Sequence, residues 1–189
     1  VSIMASKILF VTGNRHKLEE AGRILSPHGI SLEMAGCEKL EIQAGTLEEV
    51  ASFAAKAAAR EIDAPVLVED SGLFIDALGG FPGPYSSYAF KTIGCRGVLR
   101  LMNGASDRGA SFRCAVAYCS AGDEPRVFTG VSEGSIANDM TGSSGFGFDP
   151  IFIGRGGRLT YAELDAESKC RISHRGEAFR RFAEWFTGA

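Results

Sequence analysis

The segment Lys7-Ile-Leu-Phe-Val-Thr12 is a short, apolar, β-rich run that stops at Gly13-Asn14. The residues after it carry Leu18, Ala21 and Leu25 at helical spacing up to Ser26-Pro27. A strand that turns straight into a helix constrains the chain to an α/β class more tightly than any bulk property does. Residues 30–34 alternate apolar and polar, as a second strand does. Thr46-Leu47-Glu48-Glu49 has the capping-box pattern and predicts an amphipathic helix through Val50, Ala54, Ala57 and Ala58. After Pro65, Val66-Leu67-Val68 is short and apolar enough for a buried strand. The run Gly79-Gly-Phe-Pro-Gly-Pro84 suits neither a helix nor an interior strand. One helix is predicted over 88–102, weakened by Gly94 and Gly97. Longer strands are predicted over 112–119 and 126–136, joined by a turn at Gly122-Asp-Glu-Pro125. A second glycine-rich loop at 142–147 precedes a brief strand at 150–153. A last helix presents Phe179, Phe182, Ala183 and Phe186 on one face. The sum is a mixed α/β chain with antiparallel pairing in its second half.

Bulk properties then exclude whole classes. The chain has 189 residues, enough for one sizeable core. Its net charge is −3, with no basic excess for holding nucleic acid. No apolar run approaches the ~20 residues of a membrane span. The start, Val1-Ser-Ile-Met-Ala-Ser-Lys7, lacks a secretory apolar region, and Met4 is a candidate natural first residue. Five scattered cysteines without a C-x-x-C spacing predict free thiols in a reducing compartment, the cytoplasm, rather than a disulfide framework or zinc site.

Four segments can carry chemistry, and each has a plain structural alternative. At the first joint, Thr12, Gly13, Asn14, Arg15, His16 and Lys17 sit where a helix N-terminus directs amide N–H groups and a positive dipole end at one spot, which suits an anion. An ordinary capped turn explains the same residues, and no Walker A pattern occurs. Glu69-Asp70-Ser71-Gly72 follows the buried run directly. Two carboxylates leaving a buried strand need solvent, partners or a cation, and hard oxygen ligands at a strand's C-terminal edge suit Mg²⁺. Strand geometry points the two side chains to opposite faces, so only one is expected to be a ligand; a solvated Asp-Ser-Gly turn is the alternative. In Gly145-Phe146-Gly147-Phe148-Asp149-Pro150, two aromatics spaced by glycine can stack on a purine and the acid can accept a hydrogen bond from it, or the aromatics can belong to the core. Lys169, His174 and Arg175 lie in a dense cationic segment before the last helix, able to bind phosphate or carbonyl oxygens, or to form a solvated face.

These motifs, with Leu40-Glu41-Ile42-Gln43, Ala77 to Tyr85 (A-L-G-G-F-P-G-P-Y), Thr160-Tyr-Ala-Glu-Leu164 and Ser173-His174-Arg175, occur in one order over nearly the whole chain. In that order the sequence resembles the inosine triphosphate pyrophosphatase family. The resemblance implies an elongated mixed twisted central sheet flanked by helices, with two lobes of one catalytic domain, a substrate cleft between them, and a homodimer. It implies Mg²⁺ held by Glu41 and Asp70, with Asp70 also the proton acceptor for the attacking water. Thr12 to Lys17 would hold the triphosphate, Arg15 and His16 through backbone alone. Ser71 would touch substrate, and Phe146, Gly147, Phe148, Asp149, Lys169, His174 and Arg175 would line base and phosphate contacts. Lys56 lies in the helix that supplies a substrate lysine in some relatives. The chain departs from the family pattern with Leu40 where proline is common, and with Cys170-Arg171 where asparagine often follows the lysine.

The implied reaction turns a purine nucleoside triphosphate such as ITP, dITP or XTP into the monophosphate and pyrophosphate. A pocket offering donors, such as His174, Arg175 or a loop N–H, accepts a 6-keto base and leaves adenine's amine facing another donor. Two rival classes are a pyrophosphatase for modified pyrimidine nucleotides and a non-catalytic nucleotide-binding module.

Overall fold

The computed structural model describes residues 6–188. The reading of Met4 and of the first five residues lies outside them. One six-stranded mixed sheet organises the chain, in the order β2-β1-β3-β4-β5-β6. β1 (Ser6–Val11) pairs in parallel with β2 (Ile30–Met34) and β3 (Val66–Ile75), while β4 (Gly109–Cys119), β5 (Arg126–Ile136) and β6 (Phe152–Gly154) add on antiparallel. The α/β class and the antiparallel second half are therefore as the sequence predicts.

Helix α1 (Arg15–Leu25) and the last helix, α6 (His174–Thr187), cover one face over Ile8, Phe10, Leu67 and Val116. On the other face α2 (Leu47–Ile62) packs an alanine-rich side against Val11, Val66, Val68 and Ala115. Small side chains there let the helix approach the sheet closely. Its N-terminus is the reciprocal capping box read from the sequence, between Thr46 and Glu49. A third apolar cluster gathers the far ends of β3 and β4, at Leu73, Ile75 and Phe112, with Val98, Phe152 and Tyr161. β3 and β4 thus run through all three clusters as one continuous framework.

Four local predictions need correction. The helix expected over 88–102 is two, α3 (Ser86–Thr92) and α4 (Gly94–Leu101), because Gly94 takes φ +60°, a left-handed conformation that a helix interior does not contain. The strand expected over 150–153 starts only at Phe152; Asp149–Ile151 is a 3₁₀ turn with Pro150, which has no N–H to give a ladder. The cationic segment holds an unpredicted helix, α5 (Ala166–Ile172), capped by Asp165. The largest difference is β3. It does not stop at Val68 but continues to Ile75, so Glu69 and Asp70 lie inside a strand. All five cysteines are free thiols, and among the described residues no helix is long and apolar enough to cross a membrane.

Candidate active site

β1 ends opposite Val68, its last partner on β3. From Glu69 onward that edge of β3 has lost its parallel neighbour, and the gap at the carboxyl end of β1 opens into a cavity of about 650 Å³. Here lies the reason a strand can carry two adjacent acids: one side pairs with β4, and the carboxylates find cations on both faces. Glu69 points toward α1 and α6. Its side chain is wholly buried, 3.2 Å from a terminal nitrogen of Arg175 and 2.8 Å from Nζ of Lys17. Burial disfavours its charge, but Arg175 and Lys17 outweigh that and hold the carboxyl well below the usual range. Asp70 points the other way, to Nζ of Lys39 at 2.7 Å. Burial is the larger effect on Asp70 and pushes its carboxyl above the ordinary value, against the pull of Lys39 and Lys17.

The turn after β1 caps itself more fully than its sequence suggests. The Asn14 N–H donates to Thr12 Oγ1 at 3.1 Å, and the His16 and Lys17 N–H groups donate to Asn14 Oδ1 at 3.0 and 3.4 Å. Three amides expected to face an anion are therefore satisfied within the turn. Nor is His16 confined to a backbone role: its ring stacks on Phe146, centroids 5.4 Å apart and planes 14° from parallel.

The irregular segment between β2 and α2 brings Lys39 and Glu41 to the same cavity. Lys39 Nζ lies 2.9 Å from Glu41 Oε1 as well as 2.7 Å from Asp70 Oδ1. Burial disfavours the ammonium, yet the two acids overcome it and raise its pKa; Lys39 in turn lowers that of Glu41 against the cost of burial. The two predicted metal ligands therefore converge on one point, and a cation already stands there. Two carboxylates are the number Mg²⁺ commonly takes from protein when phosphate and water complete its shell. Among the described residues no group of three or more His, Cys, Asp or Glu forms a closed cage.

The opposite wall comes from the glycine-rich loop, α5 and α6. Gly145 has φ +72°, and a Cβ there would stand 2.1 Å from Asp149 Oδ2. That closeness lets Asp149 accept from the Phe146 N–H at 2.7 Å and from Lys169 Nζ at 2.6 Å. Asp149 thus locks its own loop, and burial raises its pKa despite Lys169. Phe146 lines the wall together with Phe90, Phe112 and Phe148. Phe148 is 3% exposed and packs edge-on against Phe90, behind Phe146. Lys169 is buried between Glu20 and Asp149 and lies behind the lining. Arg175 reaches Glu20 at 2.6 Å and Ser71 Oγ at 3.0 Å besides Glu69. Burial, reinforced by Arg175, depresses the pKa of His174 well below its usual value, so the ring is neutral as it stacks on Phe112. The cationic segment does not precede the last helix as one run: Lys169 belongs to α5, Ser173 caps α6, and His174 and Arg175 form its first turn.

Lys56 is placed elsewhere. It pairs with Glu124 in the β4–β5 turn and is absent from the cavity wall. The residues that sequence reasoning missed are Lys39, Glu20, Lys91 and Phe90. A signal existed for Lys39 only in its closeness in sequence to Glu41, two positions on. Lys91 and Phe90 arrive on α3, set beside the cavity by the Gly79–Pro84 loop. Gly72 makes that docking possible, since a Cβ there would meet the Gly83 carbonyl oxygen at 2.2 Å.

Residues 8–185 match the Ham1 family. The dITP/XTP pyrophosphatase of Methanopyrus kandleri is 51% identical over 180 residues, 95% of this chain and 96% of that protein. That of Thermococcus kodakarensis is 49% identical over 95% and 96%. Among solved structures, a HAM1 protein from Coxiella burnetii superposes with a TM-score of 0.86 at 34% identity, covering 97% of this chain and 100% of its own. Match, relatives and superposition each span nearly the whole chain, so the motif order, the mixed sheet and the cavity at the end of β1 have one account: the chain belongs to the Ham1 family.

Proposed function

We propose that this chain is a Mg²⁺-dependent pyrophosphatase of non-standard purine nucleoside triphosphates, dITP and XTP foremost, the substrates in its relatives' names. The observation that carries the reading is the convergence of Glu41 and Asp70 on one cation position, in the same cavity as the Lys17 turn and the Phe146 wall. The donor set fits Mg²⁺, which Glu41 and Asp70 would hold. When bound, the metal supplies neutralisation of phosphate charge and makes water more acidic.

The chain's own residues do the rest. Lys17, Arg15 and Lys91 offer positive charge to the triphosphate from the cavity wall. Asp70, made more basic by burial, accepts the proton of the attacking water. The water oxygen bonds to phosphorus, the anhydride P–O bond breaks, and pyrophosphate leaves. Phe146 offers the base a stacking face, extended by His16. Arg175 Nε–H is a buried donor without a partner of its own. A 6-keto base brings it an acceptor; adenine brings another donor, a mismatch able to reject by ~10⁴-fold. The reading includes a cytoplasmic homodimer, supported by five free thiols and by the exposed aromatics Tyr85, Tyr88 and Phe90 on one surface segment.

The test is pyrophosphate release from dITP, XTP, ITP, GTP, ATP and dTTP, with and without Mg²⁺. Metal-dependent release from dITP and XTP, at rates far above ATP, is the expected result. Equal rates for ITP and ATP would remove the donor wall, a preference for dTTP would move the enzyme to pyrimidines, and binding without release would make it a sensor.

A further inference from the structure

Lys39 and Glu41 flank Leu40 in an irregular stretch, and the intervening side chain is turned to solvent at 51% exposure. Glu41 keeps 60% of its side-chain exposure, yet Lys39 Nζ contacts both Glu41 and the inner Asp70. The side chain of Lys39 is only 12% exposed, so the ammonium is drawn into the site and does not lie on its rim. We propose that Lys39 is a built-in counter-cation, which holds the position between Glu41 and Asp70 until a divalent ion displaces it, so that metal loading is an exchange of one cation for another.

The physical basis is charge balance. Two carboxylates facing one point repel each other in a half-buried site, and the ammonium removes that repulsion in the metal-free chain. An incoming dication gains both carboxylates but must first break two short contacts and leave an ammonium beside it. Lys39 therefore preorganises the ligands and weakens their hold on free metal together. Lys39 lies in neither helix nor strand, so its head can withdraw without breaking a ladder or a helical turn.

The inference rests on the proposed metal reading, and Mn²⁺ alone, titrated calorimetrically, separates the two. Lys39→Met is expected to bind Mn²⁺ at least tenfold more tightly than the unaltered chain, and Lys39→Arg, which keeps the charge, to bind it as weakly as the unaltered chain does. Without metal, Lys39→Met is expected to melt at a lower temperature, and Mn²⁺ to raise its melting point by more than it raises that of the unaltered chain. Mn²⁺ binding that is equal or weaker in Lys39→Met, with circular dichroism unchanged, would overturn the exchange and leave the metal site standing. A poorly folded Lys39→Met would pass the question to Lys39→Gln, where the same tenfold gain is required. Absence of binding in every variant would overturn both readings, and retained tight binding in Asp70→Asn would move the metal elsewhere.

Discussion

At the end of the cavity formed by the β1–α1 turn and the 35–46 segment, charged side chains keep partial contact with water: Glu41 retains 60% of its side-chain exposure and Lys17 retains 17%. At the end formed by α5 and α6 the groups are more deeply buried, with Glu20 the most open at 14%. Lys169 and Arg175 keep 4% and 2%, and their acids Glu20, Asp149 and Glu69 come from three different elements. The first end can exchange partners, which the proposed metal and triphosphate site requires. The second has its partners built in, and the strong electrostatics of a dry interior keep them there. On the proposed function, chemistry falls to the looser end and selection of the base to the more rigid one.

Four substitutions test that contrast, from the largest effect down. Asp70→Asn acts at the loose end and is expected to lower turnover by about 10³-fold with the far-ultraviolet circular dichroism unchanged; near-normal pyrophosphate release would end the assignment. Arg175→Met acts at the more deeply buried end and strands Glu69 and Glu20 without their guanidinium. It is expected to cost about 3–5 kcal/mol in urea unfolding. A loss no larger than that of an exposed pair would erase the distinction between the two ends.

The third test uses pH. His174 in the fold resists protonation, whereas the unfolded chain takes up its proton near ~6.5. Stability is thus intact above that pH and falls below it, by up to about 1.4 kcal/mol per pH unit. Glu69 and Glu20, whose folded pKa values are lowered, add their loss only below ~4.3, where Asp70 and Asp149, shifted upward, work in the opposite sense. Asp70 and Asp149 act as pH falls through their raised folded values. The His174 part of the slope is therefore read as the difference between the unaltered chain and His174→Phe, which is expected to flatten a urea-midpoint series between about pH 6.5 and 5. A slope unchanged by the substitution would mean that the ring is not held neutral. Last, Lys56→Met removes an exposed pair outside the cavity, and neither the urea midpoint nor turnover is expected to move measurably. A clear loss of activity would return Lys56 to the site.

Much of this was legible from residues alone. Helical spacing after Gly13, the Thr46–Glu49 box and the strand–turn–strand pattern over 112–136 depend on near neighbours, and near neighbours are what a sequence lists. The extension of β3 was not legible. Val66-Leu67-Val68 followed by two acids reads as a strand leaving the core, and partners far along the chain, Lys17 and Arg175 for Glu69 and Lys39 for Asp70, let it continue. The division of Phe146 from Phe148 was hidden for the same reason: both follow a glycine, and Phe90, which packs on Phe148, arrives from another helix.

The sequence by itself determined the fold class and the order of the motifs, since these follow from local periodicity and side-chain chemistry; Glu41 came in only through the family resemblance. The tertiary structure alone decided that Lys39 stands between Glu41 and Asp70, that Lys169 lies behind the wall, and that Glu69 is sealed against Arg175. A carboxylate's role depends on which cation reaches it and how much water remains, and both are properties of elements that meet only when the chain is folded.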